Sequence, residues 1–99
     1  MKADHYENLA EYLKALAHPT RLKILKALLD GEMCVKSIGE ELGLQQSNIS
    51  QHLSTLRSRG IIVARREGAK VCYSLVDPKA RKVLLTILDS SSEEEGSQE

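Results

Sequence analysis

At Gly60 the apolar pattern of the chain changes its period, and that change restricts the fold more than any other feature. Before it, apolar residues recur every three or four positions: Leu9, Leu13 and Leu16, then Leu22, Leu25 and Leu29, then Ile49, Leu53 and Leu56. Such spacing lines one face of a helix. After it, Ile61, Ile62 and Val63, followed by Val71, Tyr73, Leu75 and Val76, are β-formers that flank the turn signal Glu67-Gly68-Ala69. They read as a β-hairpin. Helical spacing returns after Pro78, with Val83, Leu84, Ile87 and Leu88.

Boundaries follow from the punctuating residues. A first helix over Asp4 to about Ala17 stops at His18-Pro19, and Pro19 suits the first turn of a second, Pro19 to Leu29, closed by Asp30-Gly31. A short extended piece fits Glu32 to Cys34. A third helix fits Val35 to Leu42, with Gly43 as the left-handed residue after it, and a fourth runs from Gln46 to Arg59 until Gly60 stops it. A fifth opens at Pro78 and ends near Asp89. The expected class is mainly α with a β-hairpin, in the order ααααββα, which is the winged form of the helix-turn-helix.

The chain has 99 residues with neither Phe nor Trp, so one aliphatic core must serve a single domain, here residues 1–89. Residues 90–99, Ser90 through Glu99, offer no apolar side chain to bury and read as a disordered acidic tail. The longest apolar run, Ile61 to Ala64, is far short of the ~20 residues of a membrane helix. The first nine residues carry His5, Glu7 and Asn8 instead of the apolar stretch of a signal peptide, so a cytoplasmic location is expected. Cys34 and Cys72 would then be reduced thiols.

The net charge is zero, but it sums unlike segments. Residues 1–43 hold six Lys/Arg against seven Asp/Glu, residues 44–82 eight against two, and residues 83–99 none against five. A basic middle between neutral and acidic ends is what an electrostatic footprint for phosphates requires, although a solvated charged face gives the same tally.

The chemistry concentrates in Gln45-Gln46-Ser47-Asn48-Ile49-Ser50-Gln51-His52, a helical stretch that is polar yet almost uncharged. A merely solvated helix favours Glu and Lys. Amides and hydroxyls both donate and accept hydrogen bonds, as base edges in the major groove demand. Gln46, Ser47, Asn48, Ser50 and Gln51 are therefore the candidate base-reading residues. Arg57 and Arg59 at the end of that helix, with Arg65, Arg66 and Lys70 around the hairpin turn, are candidate phosphate contacts, which position a protein without choosing a sequence. A competing class is a winged-helix module that binds protein through its hairpin or last helix. That would call for aromatic or aliphatic anchors on the polar face of the fourth helix, and there are none. No Ser/His/Asp arrangement, paired-carboxylate cleft or Gly-rich phosphate loop is visible, so no enzyme and no cofactor are expected.

Leu16-Ala17-His18-Pro19-Thr20-Arg21-Leu22, Glu41-Leu42-Gly43-Leu44, Ser47-Asn48-Ile49-Ser50-Gln51-His52-Leu53, and Gly68-Ala69-Lys70 before Tyr73-Ser74-Leu75 together resemble the ArsR/SmtB family of winged-helix repressors over about residues 6–88. The resemblance implies a homodimer joined through the first and last helices. It also implies an inverted-repeat operator in double-stranded DNA and an inducer, often a metal or metalloid, that releases it. The family's metal ligands carry over poorly. Lys36 stands where the thiolate motif at the third helix expects a second Cys, and Asp77-Pro78-Lys79 lacks the His of the site on the last helix. No metal site is expected. Cys34 and Cys72 remain as effector or redox candidates, or as small buried hydrophobes. Cys34 is expected to be the more reactive, at a helix N-terminus near Lys36. A direct bond between the two is not expected from this layout, which leaves mixed or intersubunit disulfides open.

Overall fold

A computed structural model describes the backbone of residues 2–98 and the side chains of residues 4–88. The elements are α1 (Lys2–Leu16), α2 (Pro19–Leu29), β1 (Met33–Cys34), α3 (Val35–Leu42), α4 (Gln46–Ser58), β2 (Ile62–Glu67), β3 (Lys70–Leu75) and α5 (Pro78–Gln98). The expected winged helix-turn-helix is present, with one addition. The extended piece before α3 is a strand, and the antiparallel sheet runs β1-β3-β2.

Local chemistry sets the joints. His18, extended at φ −149° and ψ 132°, caps α2 by accepting the Thr20 N–H on Nδ1 at 3.1 Å, which satisfies one of the orphan donors of the first turn. Gly43 at φ 67° ends α3 in the left-handed region, where a Cβ is costly, and both its N–H and that of Leu44 turn back to the Gly39 carbonyl. Pairing of Glu67 with Lys70 leaves Gly68-Ala69 as a two-residue hairpin turn.

The core is aliphatic throughout. Ile24, Leu25 and Leu28 of α2, Ile38 of α3, and Ile49, Leu53 and Leu56 of α4 meet Ile61, Ile62, Leu75, Ala80 and Leu84. By contrast α1 and α5 leave Tyr6, Leu9, Leu13, Leu85 and Ile87 at 43–68% exposure, so much of their apolar surface lies outside this core. Tyr12 ties the two helices together by donating to Asp77 Oδ2, while Asp77 Oδ1 caps α5 by accepting the Lys79 N–H at 3.2 Å. Burial, then the bond to and charge of Asp77, raise the Tyr12 phenol well above its ordinary range.

Two expectations need correction. The backbone of α5 continues to Gln98 and does not end near Asp89, because adding a residue to a formed helix needs no new nucleus and Glu is a good helix former. The side chains of residues 89–99 lie outside the described residues, and with them the disordered tail expected over residues 90–99. The second correction concerns the thiols. Pairing of β1 with β3 sets Cys34 directly opposite Cys72, their Cα atoms are 3.8 Å apart, and the two are joined as a disulfide. This bond spans 38 residues of sequence, and nothing in the local pattern of either segment signals it.

Candidate nucleic-acid interface

Helix α4 has two faces of opposite character. Ile49, Leu53 and Leu56 are at most 1% exposed and anchor it in the core. Gln46, Ser47, Asn48, Ser50 and Gln51 all lie on the exposed side. Among the described residues, none of these five side chains is engaged in a hydrogen bond with another part of the protein. Their donors and acceptors are thus available to a ligand at no cost in broken internal bonds. The helix sits close against α3 at Gly39, where a Cβ would lie 3.0 Å from the Leu44 carbonyl oxygen and 3.3 Å from Ile49 Cδ1.

A cluster that sequence reasoning missed holds α4 from its flank. Arg21 of α2 donates through Nε to the Ala15 carbonyl at 2.7 Å and through Nη2 to that of Lys14 at 3.2 Å, which caps the negative end of α1. Its Nη1 lies 3.3 Å from His52 Nδ1, and the His52 ring packs at a tilt against that of His18, their centroids 4.4 Å apart. Burial first, then His18 and Arg21, lower the His52 imidazole below its ordinary value. One guanidinium so links α1, α2 and α4. The His18-Pro19-Thr20-Arg21 run carried that signal, though it reads only as a helix start.

The predicted phosphate contacts divide by engagement. Arg57, Arg66 and Lys70 are exposed, and no carboxylate among the described residues pairs with them. Arg59 reaches Glu11 of α1 at 3.5 Å. Arg65 is held by Glu32 in a two-point bond, Nε to Oε2 at 3.0 Å and Nη2 to Oε1 at 2.7 Å, with Glu67 at 3.4 Å. That bond leads the causes that hold the Glu32 carboxyl below the usual carboxylate range. Strand alternation separates the two wing arginines. Arg65 pairs with Cys72 on one sheet face, and Arg66 with Val71 on the other.

Cys34 occupies the N-cap position of α3, as its placement in the sequence suggests. Lys36 is exposed in the following turn. Among the described residues no three His, Cys, Asp or Glu side chains gather as metal ligands, and no helix is long and apolar enough to cross a membrane.

Residues 18–63 match the family model described as bacterial regulatory protein, arsR family. An HTH-type transcriptional regulator of Methanocaldococcus jannaschii is 44% identical over 82 residues, covering 82% of this chain and 92% of that protein. The chain belongs to the ArsR family. A probable mercury resistance operon repressor of Streptomyces lividans is 40% identical over 81 residues, 82% of this chain and 65% of that one. Among solved structures, the homodimeric winged helix-turn-helix DNA-binding domain of a possible ArsR-family regulator from Mycobacterium bovis superposes with a TM-score of 0.82. It is 31% identical, and the match covers 94% of this chain and 86% of that one. As an ArsR-family member, this protein is a DNA-binding transcriptional regulator.

Proposed function

We propose that the protein is a cytoplasmic, homodimeric repressor and not an enzyme, and that it reads an inverted-repeat operator with the outer face of α4. The observation that carries this reading is the uncommitted row of Gln46, Ser47, Asn48, Ser50 and Gln51 above a fully buried inner stripe. Amide side chains can pair two-point with adenine, and Ser serves several base edges. Arg57 and Arg59 at the end of the helix, and Arg65, Arg66 and Lys70 on the wing, contact the flanking phosphates.

Dimerisation uses α1 and α5. Leu9, Tyr12, Leu13, Val83, Thr86 and Ile87 line an open groove between these helices, which suits a second copy of the same pair. A two-fold axis there sets the two α4 helices about one DNA turn apart, ~34 Å. The inducer acts through the Cys34 and Cys72 thiols, with oxidants, reactive sulfur species or a thiophilic metalloid as candidate classes. The likeness to a probable mercury resistance operon repressor supports a thiol-seeking signal.

Sequencing of DNA fragments selected by the purified protein, combined with light scattering, tests this. A dimer that enriches an inverted repeat is expected. A monomer at micromolar concentration, or selection without sequence enrichment, would overturn it.

A further inference from the structure

Three facts about the outer face of the wing sheet belong together. Strand order places β3 between β1 and β2, yet Glu32, beside β1, is bonded to Arg65 on β2. The ion pair therefore passes over β3, and on the way Glu32 Oε2 accepts from Ser74 Oγ at 3.4 Å. Cys72 stands on this same face, two residues from Ser74 and directly opposite Arg65. It is only 4% exposed although it takes no part in the main core cluster. Cys34, two residues after Glu32, is its covalent partner from the other side.

We propose that the Cys34–Cys72 pair is a redox-controlled latch that decides whether Arg65 is free for DNA. This rests on the reading of Arg65 as a phosphate contact and of the thiols as the sensing groups. In the disulfide form β1 is fixed to β3, and the Glu32 carboxylate stays at high effective concentration over the Arg65 guanidinium. A DNA phosphate must displace a two-point carboxylate to reach it. In the dithiol form β1 is held only by its two-residue ladder, Met33 with Tyr73 and Cys34 with Cys72. Such a short edge strand opens readily, and Glu32 leaves with it.

The oxidant is a low-molecular-weight disulfide. The Cys34 thiolate, at the α3 N-terminus, attacks one sulfur of that molecule and expels the other as a thiolate, which leaves a mixed disulfide. The Cys72 thiolate then attacks Cys34 Sγ and expels the second small thiolate. Two electrons pass to the small disulfide, and the two thiol protons end on the two small thiols. A dithiol reductant reverses the sequence.

The test measures binding of the full chain to its selected duplex by fluorescence anisotropy as salt is varied. The protein is either reduced with dithiothreitol or oxidised with glutathione disulfide, and mass spectrometry confirms the intrachain bond. Withdrawal of one phosphate partner in each protomer should lower the salt slope by about two and the affinity by up to about thirtyfold near ~0.15 M salt. Glu32→Gln should keep the reduced-form affinity after oxidation. Arg65→Ala should bind like the oxidised wild type in both states, Cys34→Ser should ignore glutathione disulfide, and Cys72→Ser should stop at the Cys34 mixed disulfide, with β1 not bonded to β3 and the reduced-form affinity kept. Glu32 and Arg65 are not part of the core, so their variants should fold, and circular dichroism verifies it. Equal affinity and slope for the two wild-type forms would overturn the latch, as would a full oxidative loss in Glu32→Gln. Absence of DNA binding in both forms would instead remove the DNA reading beneath it.

Discussion

The outer face of α4 and the outer face of the wing both present polar side chains to solvent, but they are built on opposite terms. On α4 the amides and hydroxyls of Gln46, Ser47, Asn48, Ser50 and Gln51 carry no charge and are engaged with nothing else among the described residues. On the wing, Arg65 is already bonded to Glu32 and flanked by Glu67. A neutral group can wait in water without a partner, whereas a guanidinium draws any carboxylate within reach. In the proposed function reading and holding are therefore separable: the helix would keep its specificity at all times, while the wing's grip would depend on what else its cations touch.

The sharpest way to test the two-faced character of α4 is to cross it. Leu53→Ala, at a side chain 1% exposed, should lower unfolding stability by ~2–5 kcal/mol. Ser50→Ala, one turn away on the outer face, should stay within about 0.5 kcal/mol. Urea titration of both proteins separates the faces.

Next in size is the seat of the helix. Gly39→Ala puts a methyl against the Leu44 carbonyl and Ile49, and overpacking of this kind costs ~1–3 kcal/mol. DNA affinity should fall with stability, because α4 must shift away from α3. Retained affinity in a destabilised protein would show that the pose of α4 matters less than its side chains.

The contrast between reading and holding is then probed on DNA. Gln51→Ala should lose ~1–3 kcal/mol of discrimination between operator and altered operator. Arg66→Ala should weaken operator and random duplex alike and reduce the salt slope by about one for each phosphate left without its arginine. If the two variants exchange these signatures, the assignment of roles is inverted.

The smallest expected effect is at the flank of α4. Above the ordinary imidazole range His52 is neutral in both folded and unfolded chains. As pH falls below it, the unfolded chain takes up the proton first, because burial, His18 and Arg21 depress the folded value. Stability should thus decline from about pH 6.5 downward and level off once the folded imidazole is protonated. His52→Gln should flatten that part of a thermal-melt pH series.

Most of this architecture was legible from short-range signals. Pro19, Gly43, Gly60 and Pro78 mark helix ends through their own backbone preferences, and α2 and α3 lie where those marks put them. Ile49, Leu53 and Leu56 point inward because helical spacing leaves them no other common face. What was not legible was non-local. Nothing near Glu32 announces Arg65, 33 positions later. Likewise β1 exists only because β3 offers it an edge, so the disulfide that depends on this pairing was invisible too. The sequence marks Arg65, Arg66 and Lys70 as one basic group, yet alternation along the strands puts the two arginines on opposite sheet faces.

The bond from Tyr12 to Asp77 joins residues 65 apart, and this has a consequence for how the protein is made. The head, α2 through β3, is contiguous in the chain and leaves the ribosome before α5. The apolar side of α1, synthesised first, must wait for the last helix before the proposed pairing surface is complete. If the proposed pairing holds, subunit assembly is a late event of biosynthesis, following the folding of the head. Nascent chains stalled before Asp77 are expected to remain single in cross-linking, and chains stalled with α5 fully emerged to pair.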